Sequence, residues 1–536
     1  MLNRKLLLII ILFGIFFASL ILLTPQDITL DGAYYSYLSI NSTLRDTVPF
    51  PYHLFFHLFE KLLAIKLYIP YRIMPFTIIR LINSIALIID TLLLYRLSTS
   101  IGVSRKISFI TSLIFPLSCT PWMLGMDGDV YLIALIPFIS GYILILSDKN
   151  RRMKNIIIGS LLTSLSILMH LISTVGVFLL GIFLLFRSIK KELSISKFLI
   201  FLSINVIICG SIYAFIAKSI ANIDNIHKFI RWIGAYNISW TPIGINKIFL
   251  PVIGFIRFFF NGTLLTNLFY NAPFTFYDIT SAISFILTSL SLLLILMMMI
   301  LNYKKALSFG KEIVIFLTAS SIVYFLFNSK WVPQYSPYHA FTMLFLIPLL
   351  STIISKSNSK LLYKIIITFI LFITLINLSF EIVPRSRFFK NSPLQWTEDE
   401  TLIKLNISDK DAIICFDFIK FPLFYYTNGK SNPKEILIRR DQMSKGNNDE
   451  IKERFANFEN MLKEIWKKGG KIYLSGTVVD AKPFRFDIYR NSPYPSGQLI
   501  RKYLGRYIKD TDINCKYHGS TYKMYYIEKF DNSNIN

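Results

Sequence analysis

Two acidic sites stand where this chain leaves its apolar runs. Asp31 follows the first run, Leu6 to Leu23, and heads Asp31-Gly32-Ala33-Tyr34-Tyr35. The second, Asp127-Gly128-Asp129-Val130-Tyr131, separates two later runs. A carboxylate near a bilayer can take a proton from a hydroxyl or hold a divalent cation. Asp31 and Asp129 are therefore the candidate catalytic residues, with Asp127, Tyr34, Tyr35 and Tyr131 beside them as candidate substrate contacts. His53 and His57 lie four apart with Glu60 beyond, a spacing that metal ligation can use. The glutamate of a His-Glu-x-x-His zinc motif is missing, however. Aromatic and apolar neighbours (Phe55, Phe56, Phe59) favour the polar face of an amphipathic helix. No metal site is assigned, a divalent cation stays open as a cofactor, and His53 is kept as a substrate contact.

Other polar residues fall at the mouths of apolar runs. Arg80 opens the second run, His170 sits where a long run turns, and His339 follows the Tyr335-Ser336-Pro337-Tyr338 segment. Such residues can hold a phosphate or a sugar, or anchor the chain at the interface. Arg80, His170, Tyr335 and His339 complete the set of candidate substrate contacts. Asp90 lies inside a run; it is expected to serve as a helix-packing partner in the half away from the other acids.

These residues need elements to position them. The chain has 536 residues, 53% of them hydrophobic and only 17% charged. Soluble proteins carry about 25% charged residues. Apolar runs of membrane-spanning length begin near residues 6, 76, 107, 130, 155, 171, 198, 279, 312, 339 and 361. The expected fold is thus a polytopic α-helical membrane protein of about eleven transmembrane helices. Residues 155–186 are read as two short helices turning near His170. The basic loops, around Arg96, Arg152, Arg187, Lys304 and Lys356, alternate with loops lacking Lys and Arg. The positive-inside rule makes the basic side cytoplasmic, with the N-terminus. The net charge of +25 needs no nucleic-acid partner, since no basic-aromatic module accompanies it.

The extracytoplasmic side then holds loops at about 24–75 and 220–278 and the C-terminal tail. Residues 50–67 read as an interfacial amphipathic helix. Residues 248–260 read as an interfacial or re-entrant segment broken by Pro251 and Gly254. The membrane domain is placed at 1–383. Residues 390–536 are read as a small soluble α/β domain, with strands at 412–418, 423–426, 435–438, 471–474 and 524–527 and a helix at 451–467. Gly469-Gly470-Lys471 has the wrong spacing for a phosphate loop. Cys415 and Cys515 are able to pair in an oxidising compartment, but spacing alone does not say that they do.

The order of these features resembles the GT-C superfamily of membrane glycosyltransferases, and within it the polyprenyl-phosphate-mannose protein O-mannosyltransferase group. The residues carrying the resemblance are Asp31 soon after the first span, Pro49-Phe50-Pro51-Tyr52-His53, Arg80-Leu81-Ile82-Asn83, Pro121 through Tyr131, and Leu168-Met169-His170. It covers about residues 1–190, with a weaker segment at 333–339. Val48-Pro49-Phe50-Pro51 replaces the His-Pro-Pro that often opens the interfacial helix, and Asp-Gly-Asp replaces a single acid. The resemblance implies a polyprenyl-phosphate sugar donor used on the outer face. It also implies a protein, lipid or glycan acceptor whose hydroxyl Asp31 deprotonates. Asp129 would orient that acceptor or share the base role, and Arg80 would stabilise the departing phosphate. A transporter or flippase of lipid-linked sugars, or a surface-polysaccharide ligase or polymerase using a lipid diphosphate, would share the topology.

Overall fold

The computed structural model describes residues 14, 16–20, 22–23, 74–147, 152–219, 223, 225–233, 249–261, 276–308, 310–331, 336–357, 359–385, 407–415, 434–437, 448–475, 505, 508–517 and 520–527. The expected helix at 50–67 and the strand at 423–426 lie outside them.

The membrane part is built from α1 (Met74–Ser100), α2 (Arg105–Ser112), α3 (Ile114–Leu117), α4 (Cys119–Gly125), α5 (Tyr131–Ser147), α6 (Met153–Met169) and α7 (Ser173–Ile189). It continues with α8 (Ile195–Ser219), α9 (Ile226–Ile233), α10 (Phe249–Phe259), α11 (Phe276–Leu307), α12 (Lys311–Trp331), α13 (His339–Ser357) and α14 (Lys360–Asn377). Among the described residues, six helices are long and apolar enough to cross a membrane. Counting the bent pair Arg105–Leu117 and Cys119–Gly125 as one span gives seven. Helices α5, α6 and α7 have 17 residues each, the short end of spanning length. The chain is an integral, multi-pass membrane protein. The turn expected at His170 is real: α6 ends at Met169 and α7 begins at Ser173.

The 69° bend has a chemical cause. Pro121 has no N–H, so the carbonyl of Leu117 four residues earlier loses its helical donor. Asn377 replaces it from α14, donating Nδ2 to Leu117 O at 2.9 Å and to Phe259 O at 2.9 Å. Asn377 is followed by a π-helical turn, Leu378–Ile382. Segment 248–260 lacks the break expected at Pro251 and Gly254. It is one unbroken helix, α10, with Leu250, Phe258 and Phe259 buried against the bundle rather than lying at its surface. Pro251 falls in its first turn, where no helical N–H is needed. Helices α5 and α6 approach closely at Gly141 and Gly159, where a Cβ on Gly141 would stand 2.9 Å from Gly159 O.

The two ends of the bundle differ. At one, Lys190 pairs with Glu312 at 2.7 Å, Arg187 with Glu192 at 2.9 Å, and Lys106 lies over the Tyr363 ring. These contacts draw the basic loops together. The acidic loop, residues 126–130, is at the other end.

A second hydrophobic core belongs to the tail. Strands β1 (Ala412–Cys415), β2 (Lys434–Leu437), β3 (Ile472–Ser475), β4 (Ile508–Tyr517) and β5 (Ser520–Ile527) form a mixed sheet in the order β2-β1-β3-β5-β4. β1 runs parallel to β2 and β3, while β5 is antiparallel to β3 and β4. Helix α15 (Asn448–Lys467) lays Phe455, Phe458, Leu462 and Ile465 on Ile414, Ile472 and Leu474. It stops at Gly469, whose φ is +76°, and Gly470, where a Cβ would collide with Lys410 O. That pair is a helix stop feeding β3. Asp411 ties the sheet edge, accepting from Lys471 N at 2.6 Å and from Ser408 N and Oγ at 2.7 and 2.8 Å.

Candidate active site

Arg80, Asn83 and Ser84 lie at spacings of three and four on α1, so they share one side of that helix. The side faces the loop between α4 and α5. Asn83 donates Nδ2 to the carbonyls of Asp127 at 2.8 Å and Asp129 at 2.6 Å. Ser84 donates to Gly125 O at 2.6 Å. Asp127 and Asp129 are 6% and 4% exposed, so neither is a solvated loop acid. Asp129 Oδ1 accepts from the Val130 N–H at 2.6 Å, immediately before α5. The positive end of the helix dipole thus favours its negative charge. Arg80 is half-buried one turn above Asn83.

Tyr131 opens α5, and its ring centroid stands 4.5 Å from that of His170 and 5.8 Å from that of Tyr338. Phe341 closes the group at 6.2 Å from His170. The His170 Nδ1 accepts from Ile172 N at 3.2 Å, which assigns the proton of the neutral ring to Nε2. Burial drives the His170 pKa down to about 3. The turn carrying it is held by Tyr324, whose hydroxyl accepts from Gly176 N at 2.8 Å and donates to Ile172 O at 3.2 Å. Tyr142 adds a bond to Gly176 O at 2.5 Å. Nearby, Thr120 donates to Ser336 Oγ at 2.8 Å and to Arg257 O at 3.3 Å, joining α4, α10 and the approach to α13.

His339 is fully buried between Phe255 and Phe325, with Nδ1 at 3.4 Å from Asn328 Nδ2. Its Nε2, like Asn83 Oδ1, Asn328 Oδ1 and Asn377 Oδ1, is buried without a hydrogen-bond partner. Below His339, Phe255 also lines an apolar cavity of about 230 Å³ with Phe259, Leu292, Met299, Met343 and Leu350.

The structure therefore brings Asp127, Asp129, Arg80, Tyr131 and His170 to one end of the bundle, with His339 at the head of α13. Asp31, Tyr34, Tyr35, His53 and Tyr335 lie outside the described residues. No group of three His, Cys, Asp or Glu side chains gathers among the described residues, and no metal centre is assigned there. Asp90 corrects its expectation: it is fully buried on α1, but both carboxylate oxygens lack a hydrogen-bond partner, so it pairs with no neighbouring helix. Asn83, Asn328, Thr120 and Asn377 were not singled out from sequence as site residues. Uncharged polar residues in an apolar run carry no signal of which neighbour they will meet.

This arrangement sits in a membrane fold that solved structures share. The chain is similar over 98% of its length, and 98% of the other chain, to ArnT from Cupriavidus metallidurans bound to undecaprenyl phosphate, with 11% identity and a TM-score of 0.54. At that identity the likeness is one of fold. Further similar structures are the apo oligosaccharyltransferase of Archaeoglobus fulgidus (14% identity, 88% of this chain and 69% of that one, TM-score 0.49) and ArnT of Cupriavidus metallidurans in its apo state (9%, 97% and 97%, 0.46). No protein-family model and no curated protein sequence matches the chain.

Proposed function

We propose that this chain is a membrane glycosyltransferase that moves a sugar from a polyprenyl-phosphate donor to an acceptor hydroxyl at the extracytoplasmic face. The observation that carries this reading is the buried Asp127–Asp129 loop, pinned to α1 and walled by Tyr131, His170 and Tyr338 in a GT-C fold. The solved structure that this fold resembles binds undecaprenyl phosphate. In this reading Asp31 takes the proton of the acceptor hydroxyl as the hydroxyl oxygen attacks the anomeric carbon. The bond from that carbon to the phosphate oxygen breaks, and the lipid phosphate leaves with the electron pair. Asp129 orients the acceptor, and Arg80 offsets the charge that grows on the phosphate. The aromatic rings supply apolar faces on which a sugar ring can stack. The apolar cavity beneath His339 suits an isoprenoid chain.

The basic end of the bundle is cytoplasmic in this proposal, with the N-terminus. The acidic loop, the domain at 390–536 and the loops at 24–75 and 220–278 are extracytoplasmic. Labelling single cysteines placed at the exposed positions Lys228, in the loop at 220–278, and Lys190 with an impermeant reagent tests the orientation. Only the first should react from outside. Supplying purified protein with polyprenyl-monophosphate and polyprenyl-diphosphate sugars tests the chemistry. Turnover of the monophosphate donor is expected. Turnover of the diphosphate alone would make the chain a ligase or polymerase, and movement of the lipid without bond cleavage would make it a flippase.

A further inference from the structure

We infer that Asn83 is a positioning residue that clamps the acidic loop and sets the relative direction of its two carboxylates. The catalytic consequence rests on the glycosyltransferase reading. The clamp is completely buried on a 27-residue helix. Its one carboxamide nitrogen holds two carbonyls, those of Asp127 and Asp129, at 2.8 and 2.6 Å. Ser84 beside it holds a third, that of Gly125. Carbonyls of residues 125, 127 and 129 are thus all tied to α1.

The residue bridged by Asn83 is Gly128. Glycine has the widest backbone freedom of any residue, so a loop hinged on it does not fix the acids flanking it. Bonds within the loop are seen at its two ends. Met126 N and Asp127 N only close the end of α4, on Met123 O and Leu124 O. Val130 N is satisfied by the carboxylate of Asp129 itself. Holding the carbonyls on both sides of Gly128 to one rigid point fixes the dihedrals between them, and hence where Asp127 and Asp129 aim. A catalytic group displaced by about 1 Å costs on the order of 100-fold in rate.

The test is Asn83→Asp, which keeps the shape but removes both donors and sets oxygen against two carbonyls. Asn83→Ser serves as a second variant if the first does not fold. The full-length protein in lipid nanodiscs is assayed for transfer from a polyprenyl-monophosphate sugar, and separately for amide hydrogen exchange over residues 126–130. Expected are a kcat loss on the order of 100-fold with KM for the donor within about twofold, and faster exchange confined to the loop. Asn83→Gln, which retains the donating nitrogen, should recover part of kcat. Unchanged exchange overturns the clamp. Faster exchange with unchanged kcat overturns its catalytic role. If wild-type protein transfers no sugar from any donor, the glycosyltransferase reading fails, and the exchange measurement alone decides whether Asn83 holds the loop.

Discussion

Asp129 combines three properties at one position: near-complete burial, a bond from the Val130 N–H just before α5, and an aromatic wall beginning two residues later. Replacing it by Asn keeps the shape and removes the charge. Transfer should then fall by about 10²–10⁴-fold, the range for loss of a positioned acid–base group, with the protein still folded by circular dichroism. His170 behaves differently. Its ring is buried and neutral, so it acts as an Nε2–H donor and not as a titrating base. The folded pKa of about 3 lies below the ordinary value of 6.5. The unfolded chain therefore binds a proton that the folded chain refuses. Stability is full above pH 6.5 and declines as pH falls below it, by about 2 kcal/mol at pH 5. A melting curve series from pH 7.5 to 5 should show that decline, and His170→Asn should flatten it. Asp127, Asp129 and His170, which the structure places at one end of the bundle, stood out in sequence because charged or titratable residues beside apolar runs are rare. Asn83 was visible only as part of a family-like Arg-x-x-Asn pattern, and nothing in that pattern says which carbonyls it meets.

The elements meet through side chains that repair backbone breaks. Asn377 restores the donor that Pro121 denies to Leu117 and ties α14 to α10 as well. Asn377→Ala leaves two carbonyls without this donor and should destabilise the protein by about 2 kcal/mol, read as a lower midpoint in thermal unfolding in detergent. Tyr324→Phe should cost about 1–3 kcal/mol by stripping the buried Gly176 N–H of its acceptor. Asp90 runs the other way. With no hydrogen bond to lose, Asp90→Leu should leave the melting point equal or higher, whereas a lower one would mean that the carboxyl holds a partner. Helix positions were legible because each span is a continuous apolar run, and the turn at His170 followed from loop charges alone. The bend at Ser118 was not, because it depends on a residue 259 positions further along, Asn377. The break expected in α10 is absent, because Pro251 falls in its first turn, a place the sequence alone does not reveal.

At the scale of the whole molecule, polarity runs from a basic end to an acidic one, and the fold is similar to that of ArnT from Cupriavidus metallidurans. The sheet of the tail has a core of its own, built from β1, β3, β5 and α15. Four of its strands, β1, β2, β3 and β5, were legible as strand-like runs. β4, at Ile508–Tyr517, was not, because charged and polar residues dominate it and pairing with β5 defines it. The central claim is that the acids at the outer end serve sugar transfer from a lipid monophosphate. It is tested most directly by incubating the purified full-length protein in nanodiscs with polyprenyl-monophosphate sugars and measuring release of polyprenyl phosphate. The account predicts release by the wild type with at least one such donor and its loss in both Asp31→Asn and Asp129→Asn. Release that persists undiminished in both variants, or wild-type protein that cleaves none of these donors, would contradict it.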